Sequence, residues 1–398
     1  MDPLKYLLKL NPAKIKMGLQ RTYDLLEACG NPEKDLLSIQ VVGTNGKGST
    51  TAMVANTYQY NGYKVGMFTS PHLSCLSERI RINGLAINRS AIKSFIKQYR
   101  KPIEKIDASF FEVMTVMAVW HFVKNEVDVA VLETGLGGRF DSVTASKATC
   151  VLLTNISLDH TEILGNTMQK IANEKIESIQ ASTKFICTSF EEDWFLKQLK
   201  KKKKKIKIVK KNTADFSLNL KGDHQIKNAS LALEACLAMS SILPLKRTKL
   251  IEGINATSFP GRGQIISKKP LIIFDVAHNQ DSLEKYIDLV KMMHKGNKKI
   301  LLIALQKRKN ITSCIHKIVN TFDQIVCTKI KSRNPMTIYE MKTIFKLYKN
   351  KTKYFSHSSD AIEYSKKQIN ANDSLSIVGT HYWGPIINKY FKISFNKL

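Results

Sequence analysis

Arginine is scarce in this chain, with ten residues against 52 lysines, and acidic residues are few, with 33 Asp and Glu leaving a formal charge of +29. A surface this basic points first to nucleic acid. Base edges and phosphate forks, however, are read best by arginine. The lysines are also spread through every segment beside abundant Ile and Asn, as an AT-rich coding sequence would produce. The densest run, KQLKKKKKKIKIVKK at 197–211, reads as a solvated helix end and loop.

Paired cysteines are also missing. Seven cysteines (Cys29, Cys75, Cys150, Cys187, Cys236, Cys314 and Cys327) are scattered, odd in number, mostly inside apolar runs and without a C-x-x-C pair, which is not the pattern of a disulfide framework. They read as reduced packing residues. Long apolar runs are lacking too. The opening MDPLKYLLKLNPAKIKMGL carries Asp2 and Pro3 at its head, and the sequence predicts neither a secretory leader nor a membrane span, hence a soluble, cytoplasmic protein. At 398 residues and 43% apolar, the chain is long enough for two globular domains with a cleft between them.

What is present is α/β rhythm. SIQVV (38–42) reads as a strand, STTAMVANTYQYNGY (49–63) as a helix closed by Gly62, and KVGMFTS (64–70) as the next strand. A helix over 110–126 and apolar strands at 127–134 and 148–156 follow, as suits a parallel sheet covered on both faces. From residue 271 five strand and helix pairs predict a second doubly wound domain, with strands from LIIFDV (271–276) to SLSIVGT (374–380). The polar stretch SKKP (267–270) reads as the boundary, giving domains at 1–266 and 271–398.

GTNGKGST (43–50) lies after a strand and before a helix, the context of a phosphate-binding loop. Its glycines allow close backbone approach, the helix start supplies N–H donors, Lys47 adds a point charge, and a hydroxyl at Ser49 or Thr50 can face Mg²⁺. A glycine separates Lys47 from those hydroxyls, unlike G-x-x-x-x-G-K-[ST]. The ligand this pattern implies is a nucleoside triphosphate. Glu133, Asp159 and His160 close neighbouring strands, where open sheets bind ligands and where a carboxylate suits a hard cation. In the second half Asp275, His278, Thr380 and His381 stand at strand ends, and Arg262 lies between glycines. These groups can face one another across a cleft.

In order along the chain, MGLQR (17–21), GTNGKGST, TSPHL (69–73), ERIRING (78–84), FFE (110–112), ETGLGGRFD (133–141), LDHTEILG (158–165), NEK (173–175), HQIKNASLAL (224–233), FPGRGQI (259–265), FDVAHN (274–279) and VGTHYWG (378–384) resemble the folate branch of the Mur ligase superfamily, the folylpolyglutamate and dihydrofolate synthases. The resemblance covers almost the whole chain. It implies an α/β fold with an N-terminal P-loop ATPase domain and a smaller Rossmann-like C-terminal domain.

It also implies roles. Thr44, Asn45, Gly46 and Lys47 would cradle ATP phosphates, with Asn228, Arg262 and Asp275 as further ATP contacts. Ser49, Ser70, Glu133 and His160 would hold Mg²⁺, and Lys175 matches the family's carbamylated lysine. His278 and Thr380 would stand near the incoming glutamate. Ser109, Phe110, Phe111 and Glu112, with Phe140, Asp141 and Ser142, resemble dihydropteroate-binding segments. Lys47, Lys175 and His278 would carry the catalysis.

The implied reaction is ATP-dependent ligation of L-glutamate to dihydropteroate and to tetrahydrofolate through an acyl phosphate, by a monomer with no nucleic-acid or membrane partner. Three features differ from the family pattern. GRFDSVT (138–144) stands where GRLDATN is usual, LQKRKN (305–310) lacks the two carboxylates of a DKD loop, and Thr380 replaces a serine. Alternatives are a folylpolyglutamate synthase without dihydropteroate activity, a cell-wall Mur ligase, an inactive relic, and a basic P-loop protein that binds nucleic acid.

Overall fold

A computed structural model describes residues 3–10, 18–209, 215–294, 296–307 and 311–398. Met17 of MGLQR, Lys210 and Lys211 of the lysine run, and Arg308 to Asn310 of the 305–310 stretch lie outside the described residues.

Eight strands form the first sheet: β1 (Ser38–Val42), β2 (Val65–Phe68), β3 (Ile80–Ile82), β4 (Leu85–Ala86), β5 (Val129–Glu133), β6 (Cys150–Leu153), β7 (Phe185–Thr188) and β8 (Lys205–Ile208). Their order is β4-β3-β2-β5-β1-β6-β7-β8. β1 is parallel to β5 on one side and to β6 on the other. It is buried along its whole length, which is why its pattern is apolar rather than alternating. Of its two polar residues, Ser38 and Gln40, the second has a side chain whose Nε2 donates to Thr134 Oγ1 at 3.0 Å and Thr144 Oγ1 at 2.9 Å, stitching β1 to the loop beyond β5.

Apolar helices cover both faces. Helices Arg89–Ile106 and Phe110–Lys124 build a core with Phe68 and Leu132 on one side. On the other, helix Lys47–Tyr60 is pressed between helices Asp223–Met239 and Arg247–Ala256. Met53, Val54 and Tyr58 of that helix are fully buried, each contributing about 1.5–3 kcal/mol of burial. A helix enclosed on all sides cannot be moved without opening the core, so the loop at its head is rigidly held.

The second sheet has β9 (Gln264–Lys268), β10 (Leu271–Phe274), β11 (Lys299–Ile303), β12 (Gln324–Thr328), β13 (Thr352–Phe355) and β14 (Ser374–Val378), in the order β13-β12-β11-β14-β10-β9. All neighbours are parallel except β9, which pairs antiparallel with β10. The polar stretch 267–270 therefore holds the end of β9 and the turn of a hairpin inside the second sheet. Its proline and lysines mark a turn rather than a linker, because the residues before them find backbone partners on β10. We place the division of the chain at Phe259–Arg262, ahead of β9.

A second connection joins the two halves. The segment Phe395–Leu398 returns to the β3–β4 hairpin, where Arg81 Nη1 donates to Asn396 O at 2.9 Å and Gly84 O at 3.1 Å. Leu398 N donates to Gly84 O at 3.2 Å, and Ala86 N to Asn396 O at 3.1 Å. Phe395 is buried in the core of the second domain. Among the described residues no helix is long and apolar enough to cross a membrane.

Candidate active site

The carboxyl ends of β1, β5 and β6 are adjacent at the middle of the first sheet, and the connections after β1 and β6 leave in opposite directions. Such a switch point opens a crevice. Here it is a cavity of about 700 Å³ between the two domains, lined by the loop 43–49, Glu133, Asp159, Lys175, Arg262 and His278 among others.

The loop after β1 is pinned by β6. Thr44 N donates to Asn155 O at 2.9 Å, Asn45 N to Asn155 Oδ1 at 2.7 Å, and Thr154 Oγ1 to Asn45 O at 2.7 Å. Gly46 has φ 84°, and a Cβ there would stand 2.5 Å from Asn228 Oδ1. Only glycine combines that backbone with so close a neighbour. Lys47 curls back so that Nζ donates to Gly43 O at 3.1 Å and Thr44 O at 3.0 Å. Lys175 reaches the same Gly43 carbonyl at 2.8 Å from helix Met168–Ile176.

Two lysine amines thus share one carbonyl in a buried place. Burial pushes Lys175 down to about 7, helped by the positive charge of Lys47, and burial lowers Lys47 as well. Glu133, at the end of β5, accepts from Ser70 N at 2.9 Å. Burial raises its carboxyl above the usual range, against the pull of Lys47 and of that N–H.

The second domain contributes the opposite wall. Asp275 follows β10 and accepts from Gly263 N at 2.6 Å and Ala277 N at 2.7 Å, fastening the crossing segment to the sheet. Arg262 lies with its guanidinium 5.6 Å from the Phe259 ring centroid. His278 Nδ1–H donates to Val276 O at 2.8 Å, which leaves Nε2 as its basic nitrogen. His381 lines the cavity, and burial beside His278, His72 and two arginines holds its pKa near 3, so the imidazole is neutral.

Residues 41–187 match the Mur ligase middle domain, and residues 261–381 match the Mur ligase glutamate ligase domain. The probable dihydrofolate synthetase of Schizosaccharomyces pombe is 30% identical over 356 residues, covering 81% of this chain and 84% of that protein. The chain belongs to the folylpolyglutamate synthase and dihydrofolate synthase family. The dihydrofolate synthase/folylpolyglutamate synthase of Bacillus subtilis is 27% identical and spans 95% of this chain and 96% of its own. Escherichia coli FolC in complex with DHPP and ADP superposes with a TM-score of 0.89 at 26% identity, covering 98% of this chain and 96% of that one. The two-domain α/β architecture is that of these synthases.

Within this family member, the cavity gathers Thr44, Asn45, Gly46, Lys47, Ser49, Ser70, Glu133, His160, Lys175, Asn228, Arg262, Asp275 and His278 from the sequence-predicted set. Thr44 uses its hydroxyl within the loop, accepting from Ser157 N at 3.1 Å. His160 is exposed at the rim, with a left-handed backbone at φ 50°.

The other predicted residues do not line this cavity. Ser109 caps helix Phe110–Lys124, and Glu112 reaches back to Ser109 N at 2.6 Å while pairing with Arg21 at 2.9 Å. The Phe110 ring lies under the Arg79 guanidinium at 5.3 Å. Phe111 packs on Phe68 and on Gly135, where any Cβ would stand 2.5 Å from the ring. Asp141 accepts from Leu136 N at 2.8 Å and Val143 N at 3.0 Å, and burial raises it to about 6. Ser142 is buried behind it, and Phe140 is exposed. Thr380 is buried and accepts from Tyr382 N at 3.3 Å, so that His381 rather than Thr380 reaches the cavity.

Sequence reading missed Asn155, Asn279, Asp281 and Lys285. Asn279 immediately follows His278 and was within reach as a helix cap. Asp281 and Lys285 read as ordinary helix charges four residues apart, with no local sign of a partner in the other domain.

Proposed function

We propose that the chain ligates L-glutamate to a free carboxylate of its pterin-bearing acceptor at the expense of ATP, the pteroate carboxylate of dihydropteroate or a carboxylate of the glutamate moiety of tetrahydrofolate. The observation that carries this reading is the meeting of Lys47, Lys175 and Glu133 at the Gly43–Ser49 loop, in a cavity walled by both domains. Relatives that span nearly the whole chain are named for both activities, which supports the bifunctional form over chain extension alone.

Lys47 and the N–H groups at the start of its helix receive the terminal phosphates of ATP. The acceptor's free carboxylate attacks the γ-phosphorus, the bond to ADP breaks, and an acyl phosphate forms. The amine of glutamate then attacks the acyl carbon, phosphate leaves, and His278 Nε2 takes up a proton of the amine. Arg262 and Asp275 at the domain crossing, with Asn228 from helix Asp223–Met239, hold the nucleotide. Thr380 positions His381 through the cap at Tyr382. The segments at 109–112 and 140–142 shape the pterin side.

The donor set fits Mg²⁺. Among the described residues no three His, Cys, Asp or Glu side chains stand together to hold a metal unaided. Mg²⁺ commonly takes one or two protein oxygens and completes its shell with phosphate oxygens and water, and Glu133 is a buried carboxylate placed for that. Ser49, Ser70, Glu133 and His160 would hold the ion, and a carbamate on Lys175 would add an anionic oxygen. Bound Mg²⁺ supplies electrostatic stabilisation of the transferring phosphoryl group. The same reading makes the protein a cytoplasmic monomer with small-molecule partners.

The test is ADP release by purified protein with Mg·ATP and glutamate, comparing dihydropteroate with tetrahydrofolate. Turnover on both is expected. Turnover on tetrahydrofolate alone would reduce the activity to chain extension, and stimulation by neither would end the ligase reading. A nucleic-acid binder would instead show affinity for RNA or DNA that falls steeply with salt.

A further inference from the structure

Asp281 belongs to the first turn of helix Gln280–Met293 in the second domain, yet its Oδ2 lies 2.6 Å from Asn45 Nδ2 of the phosphate loop. The same oxygen receives Asn155 Nδ2 at 3.3 Å and Lys285 Nζ at 2.9 Å. Beside it, Asn279 Nδ2 donates to Asn45 Oδ1 and to Asp159 Oδ2, each at 3.1 Å. The helix is already capped by Asn279, which accepts from Ser282 N at 3.0 Å. Capping therefore does not account for Asp281, whose carboxylate is aimed across the interface.

Two amides and an ammonium converging on one anionic oxygen are the donor set that a phosphate oxygen meets in a nucleotide site. Asn45 and Asn155 sit at the ends of β1 and β6, where that site lies. A carboxylate there occupies donors that an incoming phosphate needs, and it carries a charge of the same sign.

We propose that Asp281 is a positioning residue that competes with a phosphate oxygen for the side-chain amides of Asn45 and Asn155. It holds the second domain against the phosphate loop through Asn45 and Asn155, and it yields both amides to the nucleotide. This rests on the reading of the loop as the nucleotide site. Lys285 lies one helical turn away and keeps the carboxylate compensated after release. The Asp281 side chain is 34% exposed, which gives it room to swing aside. Nucleotide entry and the loosening of this inter-domain contact are then a single exchange of hydrogen bonds.

The test uses the full chain and ADP as the probe, with no acceptor or glutamate present. Calorimetry would compare the wild type with Asp281→Asn and Asp281→Ala, with melting temperatures to check folding. Both variants are expected to bind ADP about three- to tenfold more tightly, the gain from losing a competing charge-assisted hydrogen bond. In turnover the change should fall on the KM for ATP more than on kcat. Small-angle scattering should show a larger nucleotide-free radius of gyration for Asp281→Ala than for wild type, with the difference vanishing when ADP is added.

Unchanged or weaker ADP binding by Asp281→Asn at an unchanged melting temperature overturns the proposal, and so does an identical nucleotide-free radius of gyration. Both outcomes leave the nucleotide site itself standing. A wild-type chain that binds no ADP would overturn both.

Discussion

The loop at 43–49 and the helix start at 109–112 are both short motifs of small, polar and charged residues, and they use their polar groups in opposite ways. At 109–112 every charged and hydroxyl group serves the fold: Ser109 and Glu112 close a capping box, and Glu112 also holds Arg21. At 43–49 the backbone is secured from outside by Thr154 and Asn155, so the helix start and Lys47 can serve a ligand. A segment whose hydrogen bonds are supplied by its neighbours can offer its own groups to chemistry. One that must supply them itself contributes shape.

That contrast can be tested from its strongest side downward. Replacing Lys47 with Met should lower kcat about 10³-fold, the scale of a removed transition-state donor, with little change in melting temperature. Glu133→Gln should cost about 10²-fold in kcat/KM and raise the Mg²⁺ concentration needed for half-maximal activity, because one anionic metal ligand is lost. A magnesium dependence identical to wild type would remove Glu133 from the metal site.

Lys175 gives a pH signature. With its amine at about 7, the neutral form that can capture CO₂ is the minority below that pH and the majority above it. Between pH 6 and pH 8 the neutral fraction rises about tenfold. A carbamate signal in ¹³C NMR with labelled bicarbonate should grow over that window, and no signal at either end of it would reject the carbamylated lysine.

The smallest effect on catalysis belongs to the helix start. Glu112→Ala should destabilise the fold by about 1–2 kcal/mol, since the partner Arg21 is partly exposed, while kcat changes only a few-fold. A tenfold rise in the KM for dihydropteroate at an unchanged melting temperature would show instead that Glu112 touches the pterin. It would also erase the contrast between the two regions.

The strands and helices were legible because their periods are strong and their ends are marked. β1 and β10 begin where the sequence reading begins them. The loop at 43–50 was legible for the same local reason, a strand followed by glycines and then a helix. The contact between Asn45 and Asp281 was not, because 236 residues separate the partners and each has an adequate local explanation. The stretch 267–270 reads as a boundary because turn chemistry looks the same in a hairpin and in a linker, and only the pairing of β9 with β10 separates them. The Ser109–Glu112 pair could have been recognised as a capping box from its spacing alone.

The returning segment Phe395–Leu398 bears on how the cleft can open. The second domain is attached at Phe259–Arg262 and again at the β3–β4 hairpin. A body fastened at two separate points keeps only one easy rotation, about the line through both. The second domain then works as a door on two hinges rather than a lid on a string, and every opening returns His278 to the phosphate loop along the same arc.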